Sequence, residues 1–166
     1  MESLCDIYSR LGKIFYHMTE YQSAIVREIT VLKIFEMGLR QMTPKVVQSY
    51  SKLGLYEMVI GNRSRALYFL HKSLLLMLVN YGETYPDLLV TFANIARIYQ
   101  QDKESKNAVN CYIKALELVK SVNCKYHINV SFCCSSLASL HYEMKEFKKA
   151  IEYQTDSVAT LCNFFI

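Results

Sequence analysis

The stretch from residue 92 to 116 decides the fold. It reads Phe92-Ala-Asn-Ile-Ala-Arg-Ile-Tyr99, a polar break over Gln100–Asn107, then Ala108-Val-Asn-Cys-Tyr-Ile-Lys-Ala-Leu116. Phe92, Ile95 and Tyr99 fall on one helical stripe with Ala96 inside it. After the break, Ala108, Tyr112 and Ala115 mark a second stripe. Two amphipathic helices joined by a charged turn pack closely only where small residues meet, so Ala96 and Ala108 predict a tight helix hairpin.

The same unit recurs. Ala24, Ala66, Ala108 and Ala150 are spaced by 42 residues, as are Gly12, Gly54, Ala96 and Ala138, and Leu11, Leu53, Ile95 and Leu137. Tyr8, Tyr50, Phe92 and Cys134 form a further column, large in three units of the four. Columns in register predict four helix hairpins, over about 2–43, 44–85, 86–127 and 128–166. With 52% apolar residues, five Gly and two Pro in 166 residues, the chain can bury a continuous core and has too few breakers for an all-β fold.

The ends of the predicted helices carry their own signals. The first helix is expected from near Glu2 to Met18, with Leu4, Tyr8, Leu11, Phe15 and Met18 on one stripe and Thr19-Glu20 at the turn. Gly38 is read as the terminator of the second helix. Thr43-Pro44 reads as a helix start, with Thr as cap. Gly61-Asn62 makes the second hairpin turn, and Asp87 sits where it favours a positive N-terminal dipole. Phe147, Ala150, Ile151, Val158 and Leu161 are placed in the eighth helix.

Net charge is +4 and the pI near 8.7, but the basic residues are scattered. A dedicated nucleic-acid domain would cluster them, at a pI above roughly 9. Lys145, Lys148 and Lys149, mixed with Glu143 and Glu146, read as a solvated turn. Six cysteines form no C-x2-C pair. Cys111 and Cys134 stand where apolar residues are wanted, and Cys124 with His127 has no second pair to complete a tetrahedral metal site. No metal and no cofactor are expected. Reduced thiols and the lack of a basic then apolar N-terminal run point to a cytoplasmic protein without a signal peptide. The most apolar run, Leu74–Val79, is far short of the roughly 20 residues a membrane span needs, so no membrane insertion is expected. Without a secretory signal the Asn62 and Asn129 sequons carry no meaning. No phosphate loop, nucleophile elbow or paired carboxylate appears, and His141 replaces an aromatic in its column, so packing is its expected role. The chain is read as not an enzyme.

The aromatic–small–aromatic pattern followed by Ala-x3-aromatic resembles the tetratricopeptide (TPR) repeat. The 42-residue period, the Gly82…Pro86 linker and Asn94-Ile95-Ala96 resemble the kinesin-light-chain-like TPR group. Tyr8-Ser-Arg-Leu, Glu20-Tyr-Gln-Ser-Ala-Ile, Tyr50-Ser-Lys-Leu and Tyr81-Gly-Glu-Thr-Tyr-Pro-Asp87 resemble the TPR region of the clustered-mitochondria (CLU) family. The resemblance implies an all-α solenoid of four hairpins in a right-handed superhelix, and the missing polar capping helices predict either an excerpt from a longer array or ends covered by another surface. It also implies a cytoplasmic role in mitochondrial distribution and a link to messenger RNAs for mitochondrial proteins.

TPR arrays bind partners in a groove walled by first helices. Counting from the small columns places Asp6, Ser9, Lys13, Gln48, Ser51, Leu55, Ala93, Arg97, Gln100, Ser135, Ser139 and Tyr142 on that wall, with Asn94 holding peptide backbone. A Lys/Asn carboxylate clamp is missing, because its positions read Ser9, Ser51 and Ala93. Lys13 and Arg97 remain as cations for acidic ligands. The expected partners are proteins or extended peptides. The alternatives are RNA, through the positive charge and thirteen tyrosines, and a kinesin-light-chain-like cargo. Apolar residues at the ends, Leu4 and Tyr8 at one and Phe164, Phe165 and Ile166 at the other, predict self-association or a need for neighbouring sequence.

Overall fold

A computed structural model describes residues 2–37, 43–83, 85–121 and 128–164. Gly38, Cys124, His127, Phe165 and Ile166 lie outside the described residues, as does the side chain of Phe164. Among the described residues there are eight α-helices and no strand. The chain divides into two compact units, Met1–Asn80 and Tyr81–Ile166.

The first unit holds α1 (Glu2–His17), α2 (Tyr21–Met37), α3 (Pro44–Ile60) and α4 (Arg63–Tyr81). Its core gathers Ala24, Ile25, Leu32 and Phe35 of α2 with Val46, Leu53 and Tyr56 of α3 and Cys5 of α1. The second holds α5 (Asp87–Gln101), α6 (Ser105–Ser121), α7 (Ile128–Glu143) and α8 (Phe147–Phe164). There Leu89, Ala93 and Ala96 of α5 meet Ala108, Tyr112 and Ala115 of α6 and Cys133, Leu137 and Leu140 of α7. In each unit the small columns do what their spacing demands. A Cβ on Gly12 would stand 3.5 Å from the Ala24 carbonyl, and one on Gly54 would stand 3.4 Å from that of Ala66.

The four hairpin turns repeat one device. Thr19, Gly61, Lys103 and Lys145 all adopt positive φ, at 62°, 92°, 61° and 62°. The next residue's N–H then reaches back to a carbonyl five positions earlier: Glu20 to Phe15, Asn62 to Glu57, Glu104 to Tyr99 and Glu146 to His141, at 2.8–2.9 Å. This left-handed closure satisfies helix carbonyls that the ladder leaves open. Only Gly61 takes it without steric cost; Thr19, β-branched, is the least suited.

Three expectations differ in detail. Thr43 holds the N-cap position of α3 in an extended conformation, but its hydroxyl makes no capping bond; Pro44 starts the helix. Leu4 and Met18 are on the surface, not inward with Tyr8 and Phe15. Phe147, Ile151 and Val158 of α8 are exposed as well. The reason is positional: those columns are buried only where another hairpin lies against them.

The two glycines of the small column are not equivalent. A Cβ on Gly54 would meet Leu70 Cγ at 2.6 Å and Cδ2 at 2.7 Å, whereas one on Gly12 meets nothing closer than 3.4 Å. Gly54→Ala is therefore expected to cost about 1–3 kcal/mol through overpacking. Gly12→Ala, which installs the residue found at positions 96 and 138, should be neutral or stabilising by up to about 1 kcal/mol. Urea denaturation of the two variants checks this; equal effects would show that Leu70 yields freely.

Candidate functional site

In the first unit α1 and α3 lie side by side, tied by polar side chains rather than by the small column. Lys45 pairs with Asp6 at 2.9 Å. Lys52 of α3 reaches the fully buried Glu28 of α2 at 3.0 Å, and it also bonds Ser9 of α1. Ser9 in turn donates to Glu28 Oε1 at 3.2 Å. Glu28 faces the closest approach of α1 and α2: Gly12 leaves room beside its carboxylate. One turn further, Ser51 bonds Ser73, whose hydroxyl donates to the Val47 carbonyl at 3.1 Å. Ser157 repeats that contact in the second unit, bonding Ser131 and donating to its carbonyl at 3.0 Å.

These bonds sort the predicted site residues. Ser9 and Ser51 are half-buried and engaged with α2 and α4, Asp6 is committed to Lys45, and Leu55 packs on the core. Lys13 and Gln48 are exposed on α1 and α3. In the second unit Ala93 is buried, Asn94 and Gln100 are half-buried, and Arg97 is exposed on α5. Ser135, Ser139 and Tyr142 are exposed on α7, which lies against α5. Lys13 and Gln48 in one unit, and Arg97, Ser135, Ser139 and Tyr142 in the other, are thus open to a ligand.

Sequence reasoning missed two features. One is the buried acid: Glu28 and Glu57 are both inaccessible, Glu57 meeting Arg65 at 2.9 Å and Asn62 at 2.8 Å. Their columns are otherwise filled by Leu70, Tyr112 and Gln154, and by Phe15, Tyr99 and His141; an acid in a column of mostly large uncharged residues was the available signal. The other is a cleft of about 230 Å³ between α2, α3 and α4, lined by Leu32, Phe35, Glu36, Val46, Tyr50, Lys72, Leu75 and Leu76. None of the predicted groove residues lines it.

His141 and the buried cysteines serve packing. His141 is buried, stacks on Tyr153 at 5.4 Å and 7°, and bonds Glu146 through Nδ1 at 2.9 Å. Hydrogen bonds from Lys149 and then His141 hold the Glu146 carboxyl below the usual carboxylate range. Burial pushes the Cys133 thiol up to about 12, and raises Cys5 and Cys111 as well. Such thiols stay protonated and unreactive near neutral pH. Among the described residues, no group of three or more His, Cys, Asp or Glu is placed to hold a metal ion, and no helix is long and apolar enough to cross a membrane.

Comparison with known proteins agrees with this geometry. Residues 91–163 match the tetratricopeptide repeat family model. The clustered mitochondria protein homolog of Danio rerio is 25% identical over 157 residues, covering 92% of this chain and 11% of that protein. That of Homo sapiens is 24% identical over 156 residues, covering 92% and 12%. The chain thus spans 11–12% of the length of these curated relatives. Among solved structures, BtubC (BKLC) from P. vanneervenii superposes with a TM-score of 0.89 at 17% identity, over 96% of this chain and 64% of that one. Kinesin light chain nearly identical TPR-like repeats from Podosopora anserina give 0.79 at 18%, over 95% and 75%. Residues 91–163 thus match tetratricopeptide repeats, and the chain has the all-α fold of kinesin-light-chain-like repeats and a sequence similar to a segment of the clustered mitochondria proteins.

Proposed function

We propose that this chain is a non-catalytic scaffold that binds extended peptide segments of protein partners along the faces built by its first helices. The observation that carries the reading is the division of labour on those helices. Each unit seals its small column and inner hydroxyls in the hairpin while leaving a cation outward, Lys13 on α1 and Arg97 on α5. Asn94, half-buried beside Arg97, supplies an amide for peptide backbone; the cations favour acidic segments. Similarity to clustered mitochondria proteins supports a cytoplasmic setting and a role in mitochondrial distribution as part of a larger protein.

RNA binding is the competing reading, and the tyrosines weigh against it. Stacking on bases needs accessible rings. Tyr56 and Tyr112 are buried; among the described residues only Tyr68 and Tyr142 are clearly exposed, one in each unit.

A peptide array that includes acidic segments should yield binders that weaken about tenfold on Asn94→Ala with Arg97→Glu, the scale of a lost charge contact at an interface. Binders indifferent to that change would sink the site assignment. RNA retention falling steeply between low and physiological salt, the mark of phosphate contacts, would favour the competing reading.

A further inference from the structure

Tyr68, Lys72, Leu75 and Val79 follow one another on α4 at steps of four, three and four, so they form one stripe, and all four are exposed. Tyr68, Leu75 and Val79 keep 57%, 58% and 62% of their surface in solvent. Lys72 and Leu75 also border the cleft of about 230 Å³ whose buried lining is Leu32, Phe35 and Val46.

This stripe is not a face on which hairpins stack. Positions 26, 68, 110 and 152, and positions 33, 75, 117 and 159, repeat at 42 residues and are exposed in every hairpin. Val26 and Lys33 stay exposed although α3 packs on α2, and Asn110 and Glu117 stay exposed although α7 packs on α6. A following hairpin therefore leaves these columns open, and the large apolar groups at Tyr68 and Leu75 have no role in stacking. The second unit fills the same places differently. Asn110 and Glu152 stand in the Tyr68 column, and the counterparts of Lys72, Leu75 and Leu76, 84 residues on, are Asp156, Ala159 and Thr160. An apolar stripe with a cation at a cleft is thus particular to α4.

We propose that this surface binds a short acidic amphipathic helix of a protein partner, with one large apolar side chain in the cleft and carboxylates beside it over Lys72. The site is separate from the first-helix faces. Three observations carry the choice of occupant. The cleft is smaller than the roughly 300–1,000 Å³ of pockets that take drug-sized ligands, and suits a single anchoring side chain. The stripe from Tyr68 to Val79 runs for about 16 Å along α4, three turns, the length over which a partner helix sets anchors at i, i+4 and i+7. Charge completes the match: α4 carries Arg63, Arg65 and Lys72 and no acidic residue. Arg65 is engaged with Glu57, whereas Lys72 lies over the Tyr68 ring at 5.8 Å, beside the cleft. Glu36, on the α2 side of the cleft, repels carboxylates, so the acidic flank of the partner lies along α4. The same acid disfavours a broad anionic surface such as a membrane.

Fluorescent helical peptides of three to four turns, with Leu at i and i+7, Phe at i+4 and Glu at the flanking positions, are titrated with the whole chain. A second peptide carries Lys in place of each Glu. The Glu peptide should bind, and changing its Phe to Ala should weaken it about tenfold or more. Leu75→Glu in the chain should do the same. Lys72→Glu should weaken the Glu peptide several-fold and turn the preference toward the Lys peptide. Leu75 and Lys72 are exposed, so the helical circular dichroism of both variants should be unchanged. Equal affinity for the two peptides overturns the proposal. So does binding that survives Leu75→Glu but is lost on Arg97→Glu, which would seat the peptide on a first-helix face. Failure of every peptide to bind overturns it too; phosphatidylserine vesicles bound, or a dimer formed, only with Leu75 intact would then show what covers the stripe instead.

Discussion

Lys52→Ala is expected to destabilise the first unit by about 3–5 kcal/mol, the cost of removing one partner from a buried ion pair. The carboxylate it would strand is fully buried, and Oε2 of Glu28 makes no hydrogen bond among the described residues, whereas Oε1 carries both Lys52 and Ser9. Ser9 alone cannot replace a cation there. The loss should fall toward the lower end, because the Lys52 side chain keeps 19% of its surface in solvent. Removing both charges should behave differently. Leucine occupies the Glu28 column at Leu70, fully packed, so Glu28→Leu with Lys52→Met should recover most of the loss or exceed wild type. A double-mutant cycle by urea denaturation measures this. If Lys52→Ala alone costs less than about 1 kcal/mol, the pair behaves as an ordinary surface pair and Glu28 is being solvated by another route.

Tyr112→Ala should cost about 3–5 kcal/mol in the second unit, as expected for truncating a buried aromatic. Tyr112 has no exposed surface and sits among Ala108, Ala115, Cys133 and Leu137, with Phe132 edge-on at 6.4 Å. Ala108 and Ala115, its neighbours on α6, bring no length of their own to refill the space. Tyr112→Leu should lose much less, since Leu70 fills the same column in the first unit and is fully buried there. Burial raises the Tyr112 phenol above its ordinary value, so the group is neutral across the physiological range. Hydrogen exchange should accelerate in α5 to α7 and leave α1 to α3 unchanged. Uniform acceleration over both units would show that they unfold as one.

The period of 42 was legible because it is a property of spacing alone. Gly12, Gly54, Ala96 and Ala138 need no partner in view to show that backbones approach closely at that point. The hairpins, their turns near 19, 61, 103 and 145, and the packing role of His141 followed from the same columns. The groove residues were legible only in part. Counting can say that Ser9, Ser51, Lys13 and Arg97 share a side of the first helices, but not which hydroxyls are already spent on Glu28 and Ser73.

Only the tertiary structure decided which members of a column are buried. Ile25 and Ile151, or Tyr56 and Ile14, hold the same place in the pattern and differ in exposure because burial depends on what the next helix covers. Helical periodicity follows from the chain's own geometry and is written into any single repeat. Burial is a relation between repeats, and so is the ion pair at Glu28, whose partners come from α1 and α3. An acid in a column of mostly large uncharged residues reads as a misfit until Lys52 and Ser9, from two other helices, are seen to close around it.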